Sequence, residues 1–380
     1  TWCADFGDIN NDGDLDCFVL NHQKPDSGGS VLFENDGAGA FTPFTTADGL
    51  AGQVDFLGLQ AVFRDFNNDG WLDLLVSAMN APEDPETYGF YQNDGDGTFT
   101  RLTGVFKHAG PGNPDVARIY SFAVGDLNHD GYLDLYASRG RGIGSVTNEP
   151  DLFLLNQGGT NGFLSLTLAG SQSNANGIGA RLELHGSSWG VQVRELRGGE
   201  SYGIMNSLNV HFGLGTATEV DRLVVRWPSG TVDEITMVPA NRFATLHEGS
   251  GLLAYSFADW IAEFYPGGGS DAEADADPDL DGVVNLIEQI LGTDPTVPGG
   301  LGGFSVELVD DGGQQFAEIT IERVPVQDVA MHLETSSSGA AWAADPTLQI
   351  VEDTPTRLVA RKPIPSGPSP WLARLRATVQ

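Results

Sequence analysis

The stretch "DINNDGDLD" (Asp8–Asp16) gathers four aspartates and two asparagines around a single glycine. Such side chains bond to nearby backbone and disfavour helix and strand interiors, and like charges at this density repel. The frame is not used once. It returns as "DFNNDGWLD" (Asp65–Asp73) and "DLNHDGYLD" (Asp126–Asp134), so the three starts fall at 8, 65 and 126. Each copy reads D-x-N-x-D-G-x-x-D, with Ile, Phe or Leu at the second position and Asp, Trp or Tyr at the seventh. A loop that only needed solvation would have no reason to keep oxygen-bearing side chains at the same four positions. A hard divalent cation supplies one, because calcium takes six to eight oxygen ligands at about 2.3–2.6 Å. The glycine at the sixth position allows the tight turn that a Cβ would oppose. The spacing predicts Asp8, Asn10, Asp12 and Asp16 as side-chain ligands, with the Asp14 carbonyl beside them. The equivalents are Asp65, Asn67, Asp69 and Asp73 with the Trp71 carbonyl, and Asp126, Asn128, Asp130 and Asp134 with the Tyr132 carbonyl. Magnesium fits less well, since it demands near-ideal octahedral geometry and holds its waters.

Each loop lies between apolar runs, such as "LQAVFRDF" and "LDLLVSA" in the second copy, which read as the strands of a hairpin. A second signature follows at Asn35–Phe41 ("NDGAGAF") and Asn93–Phe99 ("NDGDGTF"), with a degenerate copy, "NQGGTNGF", at Asn156–Phe163. Asn-Gly-type turns before an aromatic strand predict a second hairpin. Two hairpins in each unit of about 60 residues make a four-stranded antiparallel sheet, and repeated sheets of this kind are propeller blades. These residues resemble the FG-GAP or VCBS type of calcium-loop propeller repeat, also found in integrin α-subunit heads. About three blades are expected, whereas propellers close with four to eight. Either further blades lie upstream or the open sheet edges are covered by another chain. The chain starts on a strand without Met, as a processed or truncated end would.

From Phe163 to about His247 the strands change character. "GIGAR" (Gly177–Arg181), "VHFGLG" (Val210–Gly215) and "VRWPSG" (Val225–Gly230) resemble the ASPIC/UnbV domain, which follows such propellers in the cartilage acidic protein family and its bacterial relatives. That resemblance implies secreted or surface-attached calcium-binding proteins with adhesive, matrix-related or unassigned roles and no shared enzymatic activity. Next, "DPDLDGVVNLIE" fits the EF-hand loop template. Asp277, Asp279 and Asp281 take its first, third and fifth positions, the Val283 carbonyl the seventh, Asn285 the ninth and Glu288 the twelfth. A helix begins inside this loop and stops at Gly292, while "FADWIAEF" before it has helical spacing. The long separation of the two resembles a thrombospondin type 3-like linker, which favours a structural clamp over a calcium sensor. Residues 301–380 alternate as strands of a β-sandwich.

The expected fold is therefore mainly β: a partial propeller of about three four-stranded blades (1–162), a β-rich ASPIC/UnbV-like domain (163–250), a short helical calcium linker (251–298) and a C-terminal β-sandwich (299–380). The net charge of −33 disfavours nucleic acid and anionic lipid as partners. Three acidic ligands in each repeated loop and four in the last account for 13 of the 52 acidic residues, and about four Ca²⁺ would bring −33 to about −25. Basic residues cluster late (Arg357, Arg361, Lys362, Arg374, Arg376), which raises head-to-tail attraction between chains beside the commoner case of dispersed solvated charge. Cys3 and Cys17 flank the first loop, so a disulfide is open on spacing alone. No run of 18 apolar residues predicts a membrane span, and calcium loops suited to millimolar metal point outside the cell.

Catalytic signatures fail on context. "GSSWG" (Gly186–Gly190) matches the nucleophile elbow G-x-S-x-G, but a strand follows where a helix is required, making Ser188 a turn residue. The seven histidines are dispersed; His129 is expected to face solvent and His211 to be a satisfied core residue. The glycines within Ser138–Gly144 do not fit a dinucleotide fingerprint. Trp2, Trp71, Trp189, Trp227 and Phe63 are expected in cores. The sequence thus predicts a non-enzymatic, secreted or cell-surface, calcium-binding structural or adhesive protein. Its partners are other chains, with self-association through open blade edges. The alternative is a calcium-dependent carbohydrate-binding module or the non-catalytic part of a larger secreted enzyme.

Overall fold

The structure is a computed structural model that describes residues 3–21, 30–44, 59–77, 88–106, 119–139, 150–200, 204–265, 267–299, 303–327, 329–336, 343–364 and 372–380. It divides into two compact units, Thr1–Arg242 and Phe243–Gln380. Trp2 and the glycines at 140, 142 and 144 lie outside the described residues.

In the first unit, β1 (Cys3–Gly7), β2 (Asp16–Leu20), β3 (Val31–Asn35) and β4 (Phe41–Pro43) form an antiparallel sheet in chain order. The next sheet repeats it with β5 (Ala61–Arg64), β6 (Asp73–Ser77), β7 (Tyr88–Asn93) and β8 (Phe99–Leu102). Each acidic loop joins the first two strands of its sheet, and each Asn-Asp-Gly turn joins the last two. The sheets then bury their apolar faces on one another. Leu74 and Val76 of β6 pack with Phe18, Leu20 and Leu32, while Leu75 turns the other way onto Phe122 and Leu135 of the third sheet. Both faces of β6 are covered, which is why every one of its five residues is buried.

Among the described residues the third sheet has one strand fewer than the four expected of a blade. It holds three strands, β9 (Ile119–Gly125), β10 (Asp134–Arg139) and β11 (Leu152–Leu154), ordered β11–β10–β9. The strand from Phe163, where the sequence reading starts the next domain, pairs outside this sheet. That domain contains β12 (Gly162–Ala169), β13 (Arg181–Gly186), β14 (Gly190–Glu195), β15 (Val210–Gly215), β16 (Glu219–Arg226) and β17 (Val232–Pro239). β12 pairs with β15, and the other four form a sheet ordered β14–β13–β16–β17. The Phe163 ring stacks on His211 of β15 with centroids 6.1 Å apart, and a Cβ on Gly131 would lie 2.1 Å from it. Ser188 sits in the β13–β14 hairpin turn, as its context requires.

Cys3 and Cys17 are both buried and carry no disulfide. Cys3 lies opposite Leu20, and Cys17 lies opposite Phe6. Alternation along β1 therefore puts the two thiols on opposite faces of the sheet. Phe63, Trp189 and Trp227 are core residues. Trp71 is not: it lies half-buried over the turn at Gly95, where a Cβ would meet its Nε1 at 2.8 Å.

In the second unit β18 (Arg242–His247) pairs with β19 (Leu253–Tyr255), and α1 (Phe257–Phe264) follows, capped by the Ser256 hydroxyl on the Asp259 amide at 3.1 Å. α2 (Asn285–Leu291) ends on Gly292 at φ 70, the left-handed position that favours glycine. The remaining strands are β20 (Phe304–Asp311), β21 (Gln314–Glu322), β22 (Val329–Ser336), β23 (Ala343–Ala344), β24 (Gln349–Thr354), β25 (Arg357–Pro363) and β26 (Leu372–Val379). They form two sheets, β20–β21–β25–β24 and β23–β22–β26, around Ile319, Ile321, Leu333, Leu358 and Leu375. The late basic residues are committed inside this domain. Arg357 pairs with Glu322 and Glu352, Arg361 with Glu318, Lys362 with Asp345, and Arg374 and Arg376 with Glu334.

Candidate metal-binding loops

The three repeated loops have one geometry. The first-position carboxylate accepts the amides of the fifth and sixth residues: Asp8 from Asp12 and Gly13 at 3.1 and 3.2 Å, Asp65 from Asp69 and Gly70 at 3.1 and 2.8 Å, Asp126 from Asp130 and Gly131 at 3.2 and 2.9 Å. The third-position asparagine accepts the fifth amide and donates to the fifth carboxylate, at 2.9 Å for Asn10–Asp12, 2.7 Å for Asn67–Asp69 and 2.9 Å for Asn128–Asp130. The fifth carboxylate accepts the seventh amide, from Asp14, Trp71 and Tyr132 in turn. The glycines stand at φ 97, 97 and 84. The ninth-position aspartate ties the two hairpins of a sheet together. Asp16, Asp73 and Asp134 each give one oxygen to the second-position amide and the other to the amide of Asn35, Asn93 or Asn156.

Part of the charge in these loops is held away from water, while Asp12 and Asp130 are exposed. Burial pushes Asp8 and Asp65 up to about 7 and Asp16 up to about 6, and lifts Asp73 well above the ordinary carboxylate range. Carboxylates so desolvated favour the neutral form unless a cation compensates them. The donors on offer are oxygen alone, which suits a hard cation.

The fourth loop differs in detail. Among the described residues, Asp277, Asp279 and Asp281 are the three acidic side chains whose ligand atoms all lie within 4.8 Å of one another; the first, fifth and ninth carboxylates of the repeated loops do not approach so closely. Asp277 accepts the Gly282 amide at 3.1 Å and Asp281 the Val283 amide at 2.8 Å. Asp277 Oδ1, Asp279 Oδ2, Asn285 Oδ1 and Glu288 Oε2 are shielded from solvent with no hydrogen-bond partner, as atoms awaiting a cation would be. Burial, reinforced by Asp279 and Asp281, raises Glu288 to about 7. Asn285 has a second task, since its Nδ2 holds the carbonyls of Asp271 and Glu273 at 2.8 Å each.

Sequence reading missed the fourth position. Asn11 and Asn68 adopt φ 55 and 58 and reach into the next loop, their Nδ2 atoms donating to Gly70 O at 3.1 Å and Gly131 O at 2.8 Å. The paired asparagine in "NNDG" was the available signal. His129, the third counterpart, is exposed. His211 is buried and bonds Asn68 Oδ1 through Nε2 at 2.7 Å. Behind the loops, Arg197 binds Asp5 at 2.8 Å, and Arg64 and Asn206 bind Glu200.

The FG-GAP-like repeat family matches residues 8–76 and 65–137, and the ASPIC and UnbV family matches residues 170–252. The chain is similar to cartilage acidic protein 1 of Xenopus tropicalis, 26% identical over 278 residues, and to that of Mus musculus, 26% identical over 275. These alignments cover 60% and 59% of this chain and 41% of each relative, so the chain spans about two-fifths of the length of the curated relatives it matches.

Proposed function

We propose that this chain, FG-GAP-like repeats joined to an ASPIC and UnbV domain, is a calcium-stabilised structural protein that acts outside the cell or on its surface. The observation that carries this reading is the threefold recurrence of one loop geometry, each copy ending on a buried aspartate. The residues that would hold the ions are Asp8, Asn10, Asp12, Asp16 and the Asp14 carbonyl, their counterparts in the second and third loops, and Asp277, Asp279, Asp281, Asn285, Glu288 and the Val283 carbonyl in the fourth. A bound ion supplies the positive charge that lets the buried carboxylates stay ionised. The amide contacts of each carboxylate leave lone pairs for a cation, because each oxygen carries two. The protein's own residues do the rest: asparagine orients the fifth aspartate, glycine closes the turn, and the ninth aspartate fixes one hairpin to the other.

A surface for other chains fits the same reading. Phe6 and Phe41 on the first sheet are 41% and 45% exposed, and Phe153 and Leu155 at the third are 71% and 52% exposed. Apolar groups of this size in solvent support a binding role for these two sheets. Thermal unfolding with excess chelator against 2 mM calcium tests the proposal. Calcium should raise the midpoint by more than ~10 °C, since ligands that bind only the folded state stabilise it by mass action. Coincident curves would refute it.

A further inference from the structure

The second acidic loop does more than gather carboxylates. Its backbone oxygens are used on its outer side by several other parts of the first unit. Phe66 O accepts Asn156 Nδ2 at 2.8 Å, Asn67 O accepts Asn161 Nδ2 at 2.9 Å, Asn68 O accepts the Gly215 amide at 2.7 Å, and Gly70 O accepts Asn11 Nδ2 at 3.1 Å. Asn68 is itself buried, with its amide held between Gly131 O and His211 Nε2. The strand β15 lies directly on the loop. A Cβ on Gly213 would fall 2.0 Å from Asp65 Oδ2 and 2.5 Å from Asn68 Cα, so only glycine allows this approach. Gln192 of β14 reinforces the seat, its Nε2 donating to Gly213 O at 2.8 Å.

We infer that calcium in the second loop is the latch that seats β14 and β15 on the repeats. This rests on the calcium reading above and goes beyond it by coupling one loop to one part of the ASPIC and UnbV domain. Asp65, Asp69 and Asp73 are near enough in the loop to repel one another unless an ion lies among them. The same peptide units carry the outer carbonyls, so a loop that relaxes inside loses its register outside. The contacts of Gly215 and His211 then fail together. Elsewhere the domain keeps independent ties, through Arg197 to Asp5 and Asn206 to the Val124 amide, so the release is local to β14 and β15. Coupling of this kind is reciprocal: the seat must also tighten calcium in the second loop.

The test uses the full chain in calcium, with hydrogen exchange followed by mass spectrometry and calcium titration by native mass spectrometry. Asp69→Asn should lose one calcium and raise exchange of residues 190–195 and 210–215 at least tenfold. Asp279→Asn, in the other unit, should lose one calcium and change those segments less than twofold. His211→Ala keeps every ligand and should weaken one calcium at least tenfold, with Gln192→Ala acting in the same direction. Should Asp69→Asn fail to fold, the His211→Ala and Gln192→Ala titrations decide. Loss of calcium in Asp69→Asn with unchanged exchange at 210–215, or wild-type calcium affinity in both seat variants, would overturn the latch while leaving calcium binding intact. A wild-type chain that takes up no calcium would instead remove the reading on which the latch rests.

Discussion

Asn68 shows how much a single residue carries in this molecule. It holds a left-handed φ of 58, buries its side chain completely and satisfies Gly131 and His211 at once. The shared loop frame was readable from residue type and spacing, because oxygen donors recur at fixed steps. The role of Asn68 was not, because a clamp onto the next loop appears only where a next loop exists, and exposed His129 broke the repeat. Asn68→Ala removes two buried hydrogen bonds and strains the left-handed position, so it should cost about 3 kcal/mol; urea unfolding in calcium measures this. His211 makes a pH prediction. Burial, with Arg194 and Arg64 nearby, lowers it to about 3. The unfolded chain takes its proton near 6.5 and the folded chain only near 3, so this contribution is complete above 6.5 and is lost as pH falls. By pH 5 the loss should reach about 2 kcal/mol, and a His211→Gln chain measured in parallel should lack that slope.

At the scale of elements, hairpins announced themselves through alternation and turn residues, and both short helices and Gly292 fall where the sequence places them, whereas β23 and β24 were not read from it. Two features depended on contacts distant in sequence. β6 is buried on both faces because a sheet covers each side, which its local run of Leu and Val suggests but cannot assign. The strand at Phe163 pairs with β15, whose His211, far along the chain, stacks on its ring. Leu75→Ala opens a cavity between the second and third sheets and should cost about 2–5 kcal/mol. Leu74→Ala should do the same between the first and second. If either costs less than ~1 kcal/mol by urea unfolding, the sheets do not pack as described.

For the whole molecule, a net charge of −33 on 380 residues sets a problem that the proposed cations would solve. Their removal should be felt beyond the loops, because each ninth-position aspartate joins two hairpins and each loop contacts a neighbouring one. The exposed aromatic and aliphatic groups of the first and third sheets should also let chains associate in calcium. Light scattering at micromolar concentration should then show particles larger than one chain, reduced by Phe153→Ser; monomers throughout would argue against this surface. No helix among the described residues is long and apolar enough to cross a membrane. The most direct test of the central claim is the calcium content of the native chain after dialysis against 1 mM calcium and removal of free metal. The account predicts about four tightly held ions per chain, falling by one for each of Asp12→Asn, Asp69→Asn, Asp130→Asn and Asp279→Asn. A folded chain that retains none would contradict it.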